Sequence, residues 1–366
     1  MTYIHERPNW PKFTWDQENL APRLAAVRHR QGHLLGRMEA IGFPLRQEAV
    51  LQTLTLDVVK SSEIEGAVLN PEQVRSSIAR RLGMDIAGTI QADRHVEGVV
   101  EMMLDATQNF DKPLTAERLF GWHAALFPTG RSGLHKIIVG AWRDDSRGPM
   151  QVVSGPVGRE KVHFEAPKAK RLKAEMDQFI SWTNNKRDMD PVLRAALAHL
   201  WFVTLHPFDD GNGRIARAIA DWVLAQSEHR TQRFYSMSSQ IRLERNDYYA
   251  ILQRTQTATL NVTAWMEWFL GCLDRAIADT ESTLVGVFRK TQFWENAAGK
   301  YINDRQRLIL NKLLDGFEGK LTSSKWAKLV KCSQDTAQRD IQALIDQEIL
   351  VKDAAGGRST SYSLAD

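Results

Sequence analysis

His206-Pro207-Phe208-Asp209-Asp210-Gly211-Asn212-Gly213-Arg214-Ile215-Ala216-Arg217 puts an imidazole, two carboxylates, two glycines and two guanidiniums into one short stretch. An apolar segment, Ala195 to Leu205, precedes it, and Ile215, Ala218, Ile219, Trp222 and Val223 follow at helical spacing. The run therefore reads as helix, tight loop, helix, with the loop at the N-terminus of the second helix. The first turn of a helix carries unpaired backbone N–H groups and the positive end of the dipole, so it attracts anions. Gly211 and Gly213 let an anion come close, and the Asn212 amide can donate to a phosphate oxygen. Arg214 and Arg217 offer planar bidentate forks that lysine lacks. Asp210 is a hard oxygen ligand beside that cradle, suited to Mg²⁺ bridging one carboxylate and two phosphates. His206, at the other edge, is free to take a proton. These are parts for holding a nucleotide and attacking its phosphate.

The run resembles the HPFxxGNGRxxR motif of the Fic family at every specified position, with Asp210 where that family carries its acidic metal ligand. Eight fixed residues at about one in twenty each make chance agreement on the order of 1 in 10¹⁰ per starting position. The resemblance implies that His206 is the general base activating a target hydroxyl and that Asp210 binds Mg²⁺. It further implies that Gly211, Asn212, Gly213 and Arg214 hold the α and β phosphates of ATP, and that Arg217 meets the γ phosphate. The implied reaction is transfer of AMP from ATP to a Ser, Thr or Tyr of a target protein, the chain itself included, with removal of AMP from the same target as an open second activity.

Upstream, Ser61-Ser62-Glu63-Ile64-Glu65-Gly66 resembles the family's inhibitory (S/T)xxxE(G/N) motif, which implies pairing of Glu65 with Arg217. A carboxylate on that guanidinium would take the place of the γ phosphate and hold the enzyme off. Ser62-x-x-Glu65 also fits a helix capping box. Gly66 and Pro71 interrupt the segment at once, leaving little helix to cap.

Between the two motifs, Gly140-Ala141-Trp142-Arg143, Met150-Gln151-Val152-Val153-Ser154-Gly155 and Lys161-Val162-His163-Phe164-Glu165 are short β-prone runs parted by Gly155, Pro156 and Gly158. They read as a hairpin. By resemblance, this flap, with Val153, Ser154 and Gly155, lies over the active site and pairs with the backbone of the target as an added strand. His163 reads as a strand surface residue without a role. Arg245-Asn246-Asp247-Tyr248-Tyr249 resembles the segment that closes the adenine pocket, with Tyr248 as the base contact. Gln256 stands near where relatives often have Asn, a departure that touches the adenine and ribose contacts.

The frame is that of an ordinary globular protein: 366 residues, 43% apolar, 25% charged, net charge +4. No segment approaches eighteen uninterrupted apolar residues, and Met1 to Arg7 lacks a signal-peptide stretch. No membrane association is expected, and the expected location is cytoplasmic. Cys272 and Cys332 form no CxxC, so neither a disulfide framework nor a thiolate metal site is expected, and both read as buried thiols.

Pro8 to Trp15 is an aromatic extended arm, and Trp15 to Gly42 and Leu45 to Lys60 are predicted helices. Helical patterns recur at Pro71–Leu82, Asp93–Thr107, Thr115–Leu126, Ala169–Asn184 and Asp190–Leu205. Val262–Lys290 reads as one long amphipathic helix, packed in the core or paired with its copy in a homodimer. After Asn303, three short helices (Asp304–Leu314, Ser323–Val330, Ser333–Gln347) precede a hairpin turning at Gly356-Gly357, an order that resembles a winged helix-turn-helix. Ser333, Gln334, Thr336, Gln338 and Arg339 could then enter a DNA major groove. From Tyr301 to Asp366, however, 10 Lys and Arg stand against 9 Asp and Glu, far from a basic footprint.

The expected fold is mainly α: a Fic-type helical bundle core with a small β-hairpin flap, plus a C-terminal winged helix-turn-helix domain. The expected division is 1–110 for the arm and helical region with the inhibitory motif, 111–290 for the catalytic core with its flap, and 291–366 for the winged-helix-like domain. The expected function is an auto-inhibited, Mg²⁺-dependent protein adenylyltransferase. The rival is a nucleotide-sensing, DNA-binding transcriptional regulator, against which an intact base and a placed carboxylate both speak.

Overall fold

The computed structural model describes residues 2–84, 89–155, 159, 161–185, 189–314, 317, 319–353 and 360–365. The chain divides into two compact units, Met1–Thr280 and Glu281–Asp366. The architecture is mainly helical with small antiparallel hairpins.

The first unit begins with α1 (Gln17–Ala40), α2 (Phe43–Ile64), α3 (Pro71–Arg81), α4 (Arg94–Gln108) and α5 (Ala116–Leu126). Their starts follow from local chemistry. Asn70 Oδ1 accepts from Glu72 N at 2.9 Å with Pro71 at the first helical position, Asp93 Oδ1 accepts from Val96 N at 2.9 Å, and Thr115 caps α5 through Arg118 N. Two hairpins follow, β1 (Arg131–Ser132) with β2 (His135–Lys136), and β3 (Gln151–Ser154) with β4 (Lys161–Glu165). The second is the expected flap, with a register shift between Val152 and Val153. The Pro156 and Gly158 of its connection lie outside the described residues. The first was not anticipated, since two-residue strands leave no alternation to read.

α6 (Ala169–Asn184), α7 (Pro191–Leu205), α8 (Asn212–Glu228), α9 (Met237–Leu243) and α10 (Arg245–Gln256) complete the first unit with α11 (Thr263–Asn296) as far as Thr280, and the rest of α11 belongs to the second. α7 is the centre of the core. Every residue from Val192 to Leu205 is buried, so the helix carries no polar face, and α8 packs along it. Cys272 is a buried free thiol, whereas Cys332 is only half-buried, which corrects the expectation of two buried thiols.

The second unit holds α12 (Asp304–Leu314), α13 (Ser323–Leu329), α14 (Gln334–Asp346), β5 (Leu350–Lys352) and β6 (Tyr362–Leu364). Ile309, Leu310, Leu321, Trp326, Ile341 and Leu344 form its core. Ser333 caps α14 by accepting from Thr336 N at 3.1 Å. β5 and β6 pair antiparallel, and Leu321 bridges to Tyr362. The expected turn at Gly356-Gly357 lies outside the described residues. No described helix is long and apolar enough to cross a membrane.

Candidate functional site

α7 ends at His206, which takes a left-handed conformation (φ 49°, ψ 56°) and turns the chain out of the helix axis. Its ring is half-buried, with Nδ1 3.1 Å from the Val203 carbonyl. A carbonyl oxygen only accepts, so Nδ1 carries the proton and Nε2 keeps its lone pair. Burial holds the imidazole pKa below its usual value; the Val203 bond opposes that shift without cancelling it. The ring is therefore neutral at neutral pH and can take a proton.

The loop after His206 is tied from within and from behind. The Asn212 amide spans it, Oδ1 accepting from Phe208 N at 3.0 Å and Nδ2 donating to Phe208 O at 2.8 Å. The amide oxygen and one of the two Nδ2 protons thus serve loop closure, leaving the second N–H for the expected phosphate contact. Phe208 is stacked on His123 at 4.1 Å. Arg143, buried, donates from Nε to His206 O at 2.8 Å, from its backbone N–H to Pro207 O at 2.9 Å and from Nη2 to Pro167 O at 2.6 Å. The sequence reading quoted Arg143 only as part of a β-prone run. Asp210 Oδ1 accepts from Gly211 N at 2.6 Å, and its Oδ2 accepts from the Ser132 hydroxyl on β1.

Gly211 caps α8 with φ 80°, and Gly213 lies in its first turn. A Cβ on Gly213 would fall 2.1 Å from Glu65 Oε1, so only glycine admits the carboxylate that occupies this spot. That carboxylate comes from the end of α2. Glu65 is its C-cap residue and follows Ser61 and Ser62 in the last helical turn, so the segment ends a helix and does not begin one. The capping-box alternative is excluded on that ground. Glu65 Oε1 lies 2.8 Å from Arg217 Nη1. Ser61 completes the contact: its Oγ accepts from Arg217 Nε at 2.9 Å and its carbonyl from Nη2 at 2.8 Å. Arg217 is 2% exposed and Glu65 29%. Burial works against the Arg217 charge, but the Glu65 carboxylate together with Tyr248 and Tyr249 more than offsets it, and the pKa lies above the usual value.

Arg214 is different. It is 5% exposed, stands over the Phe127 ring at 5.1 Å, and its buried Nε has no hydrogen-bond partner among the described residues. Burial pulls its pKa down, with Asp210 and Glu65 opposing. A buried guanidinium with an unused donor is costly unless an anion completes it.

The pair of tyrosines on α10 divides. Tyr248 is 1% exposed, its hydroxyl hydrogen-bonded with His199 Nε2 at 2.9 Å and its ring packed against Trp265 and Trp268. No ring face is open to a base, contrary to expectation. Tyr249, half-buried, faces the α2 terminus: its hydroxyl lies 3.4 Å from Glu65 Oε2, and Arg245 Nε donates to Ile64 O at 2.8 Å. Burial first, and Glu65 next, push the Tyr249 phenol up to about 12. On the flap, Val153 is exposed, Ser154 Oγ pairs with His163 Nε2 at 2.6 Å, and Gly155 follows the end of β3. Gln256 is buried beside Thr204, its Nε2 donating to the hydroxyl at 3.3 Å.

The Fic/DOC family profile matches residues 113–224. The chain carries a Fic-family domain. Residues 3–84, ahead of the Fic match, fit a domain of unknown function, DUF4172. Protein adenylyltransferase fic-1 of Caenorhabditis elegans is 28% identical over 179 residues, 48% of this chain and 32% of that protein. A uridine 5'-monophosphate transferase of Xanthomonas campestris is 31% identical over 31% of this chain and 21% of its own length. The chain thus spans about a third or less of these relatives. A Fic family protein from Desulfovibrio desulfuricans G20 superposes with a TM-score of 0.52 at 21% identity, covering 94% of this chain and 96% of that one, a likeness of fold.

Proposed function

We propose that the chain is an auto-inhibited protein adenylyltransferase, moving AMP from ATP to a Ser, Thr or Tyr hydroxyl of a protein. The observation that carries this reading is the meeting of Glu65, Gly213 and Arg217 at the N-terminus of α8, a place where a phosphate is favoured, within the domain that also presents the His206 lone pair.

In the productive arrangement the α8 backbone amides from Asn212 on, together with Arg214, hold the α and β phosphates, and Arg217 holds the γ phosphate. His206 Nε2 takes the proton of the acceptor hydroxyl. The hydroxyl oxygen bonds to the α phosphorus, the bond from that phosphorus to the bridging oxygen breaks, and pyrophosphate leaves. The Asp210 carboxylate suits Mg²⁺, since it is a hard oxygen donor with lone pairs beyond its two hydrogen bonds. No group of three or more His, Cys, Asp or Glu that could hold a metal occurs among the described residues, so the nucleotide and water would supply the remaining ligands. Bound Mg²⁺ would neutralise charge on the leaving pyrophosphate.

Inhibition follows from the Glu65–Arg217 pair. While the carboxylate holds Arg217, a γ phosphate meets a negative charge in place of a guanidinium, and the triphosphate binds unproductively. In this reading residues 1–110 supply the brake, 111–290 the chemistry, and 291–366 an attached module. Labelled AMP offered as ATP with Mg²⁺ should be transferred weakly by the native chain, strongly by Glu65→Gly, and not by His206→Ala. Equal labelling by all three overturns the roles of both residues. Labelled UTP in parallel tests the donor base, because one relative carries the name of a UMP transferase.

A further inference from the structure

The arm formed by residues 3–15 opens the stretch that matches a domain of unknown function. The sequence predicts an extended aromatic arm over Pro8 to Trp15; in the structure Ile4–Glu6 form a turn of 3-10 helix and residues 8–11 a turn, so the arm is only partly extended. Two of its side chains, Tyr3 and His5, meet the end of β4 in the flap. Phe164 is the one residue buried outright in the two flap strands. Tyr3 and His5 stand edge-on to its ring, at 5.2 and 5.8 Å. The His5 Nε2 lies 2.8 Å from the Glu165 carbonyl, and since the carbonyl only accepts, Nε2–H donates.

The arm is itself firmly held. Trp10 Nε1 donates to Glu175 Oε2 on α6 at 2.7 Å, and its ring meets Trp201 of α7 at 6.2 Å. Arg171 Nη2 donates to His5 O at 3.2 Å. Beyond α10, Arg7 Nε donates to Ala258 O at 2.9 Å, Thr14 N to Leu260 O at 2.9 Å and Val262 N to Thr14 O at 2.8 Å. A two-stranded hairpin is marginal alone and needs an outside surface to fix it. Here the surface behind Phe164 and Glu165 is the arm, while His163 reaches Gln253 on α10 at 3.0 Å from the other side.

We propose that residues 3–14 clamp the flap from behind, with His5 as a positioning residue, and so fix the strand edge on which an acceptor chain docks. This rests on the transfer reading above and on the strand addition to the flap that the family resemblance implies. Docking by strand addition needs donors and acceptors set at hydrogen-bond distance, so a loosened hairpin weakens acceptor binding first. Among the described residues none of the arm's bonds involves residues 206–217, so nucleotide binding should be spared.

The test compares Glu65→Gly with Glu65→Gly carrying His5→Ala or His5→Gln. Hydrogen exchange at residues 151–154 and 161–165 is read beside transfer of labelled AMP to a pooled library of decapeptides, each with one Ser, Thr or Tyr, relative to AMP released into water. His5→Ala should raise flap exchange and lower the ratio of peptide labelling to release about tenfold, the scale of a buried hydrogen bond lost with its packing. Calorimetric ATP binding should stay unchanged, and His5→Gln, whose amide can donate to Glu165 O, should restore both readouts. Unchanged flap exchange overturns the clamp, as does higher exchange with an unchanged ratio, or a fall in ATP affinity and melting temperature alongside. Absence of any labelling by the Glu65→Gly parent would defeat the transfer reading, while the exchange readout still decides the clamp.

Discussion

The loop at 206–212 and the segment at 61–66 meet at the N-terminus of α8, yet they are held in opposite ways. The loop is closed by its own Asn212 amide and braced by Arg143, with Phe208 stacked on His123 behind it. The 61–66 segment ends a helix and reaches the site through Ser61 and Glu65 on one guanidinium, with the carboxylate still 29% exposed. A loop satisfied from within keeps its shape when its neighbour leaves. A half-exposed carboxylate on a helix end can be displaced by a stronger anion, because a partly solvated ion pair is worth little net free energy. In the proposed function the difference would separate a preformed catalytic half from a removable regulatory half.

Substitutions can break that contrast. His206→Ala should lower turnover by about 10²–10⁴, the usual worth of a general base, with ATP binding intact; full activity would remove His206 from the chemistry. The same residue sets a pH signature. Its imidazole pKa is depressed, so the neutral form persists as pH falls below 6.5 and the rate should fall only at still lower pH. A rate that drops through pH 7 would contradict the burial seen here.

Smaller effects sharpen the contrast on the regulatory side. Glu65→Gly should raise transfer at least about tenfold, equivalent to roughly 1.4 kcal/mol of relieved competition. Ser61→Ala removes one of three contacts to Arg217, keeps the carbonyl, and should raise transfer about two- to fivefold, matching roughly 0.5–1 kcal/mol. Tyr249→Phe deletes a hydroxyl whose contacts are long, 3.4 Å, and should shift transfer by less than about twofold, within the roughly 0.5 kcal/mol of a neutral substitution. Steady-state labelling of the three variants checks the order, and an effect of Tyr249→Phe exceeding that of Glu65→Gly would reverse it.

What could be read in advance follows the range of the interactions. The 206–217 loop lies in consecutive residues whose chemistry is local, and the helices show in their apolar spacing, with starts that the structure fixes through caps such as Asp93 and through Pro71 and Pro191 at the first helical position. Arg143 and Ser132 escaped because their partners, His206 and Asp210, are 63 and 78 residues away and no pattern in sequence links them. Tyr248, expected as the base contact, is the buried one of the pair and Tyr249 faces Glu65, a difference set by one step along a helix, which turns a side chain by about 100°. Asn212 has a second task that no pattern shows, since its amide also closes the loop that its own motif builds. The Glu65–Arg217 pairing is legible through family resemblance alone, whereas the Ser61 contacts to the same guanidinium, 156 residues apart, are not.

The most direct test is a crystal structure of Glu65→Gly with ATP and Mg²⁺. The γ phosphate should lie within hydrogen-bond distance of the Arg217 guanidinium, in the space that the Glu65 carboxylate occupies here. A triphosphate bound away from Arg217, with that guanidinium still held by Ser61 alone, would contradict the claim that carboxylate and phosphate compete for one site.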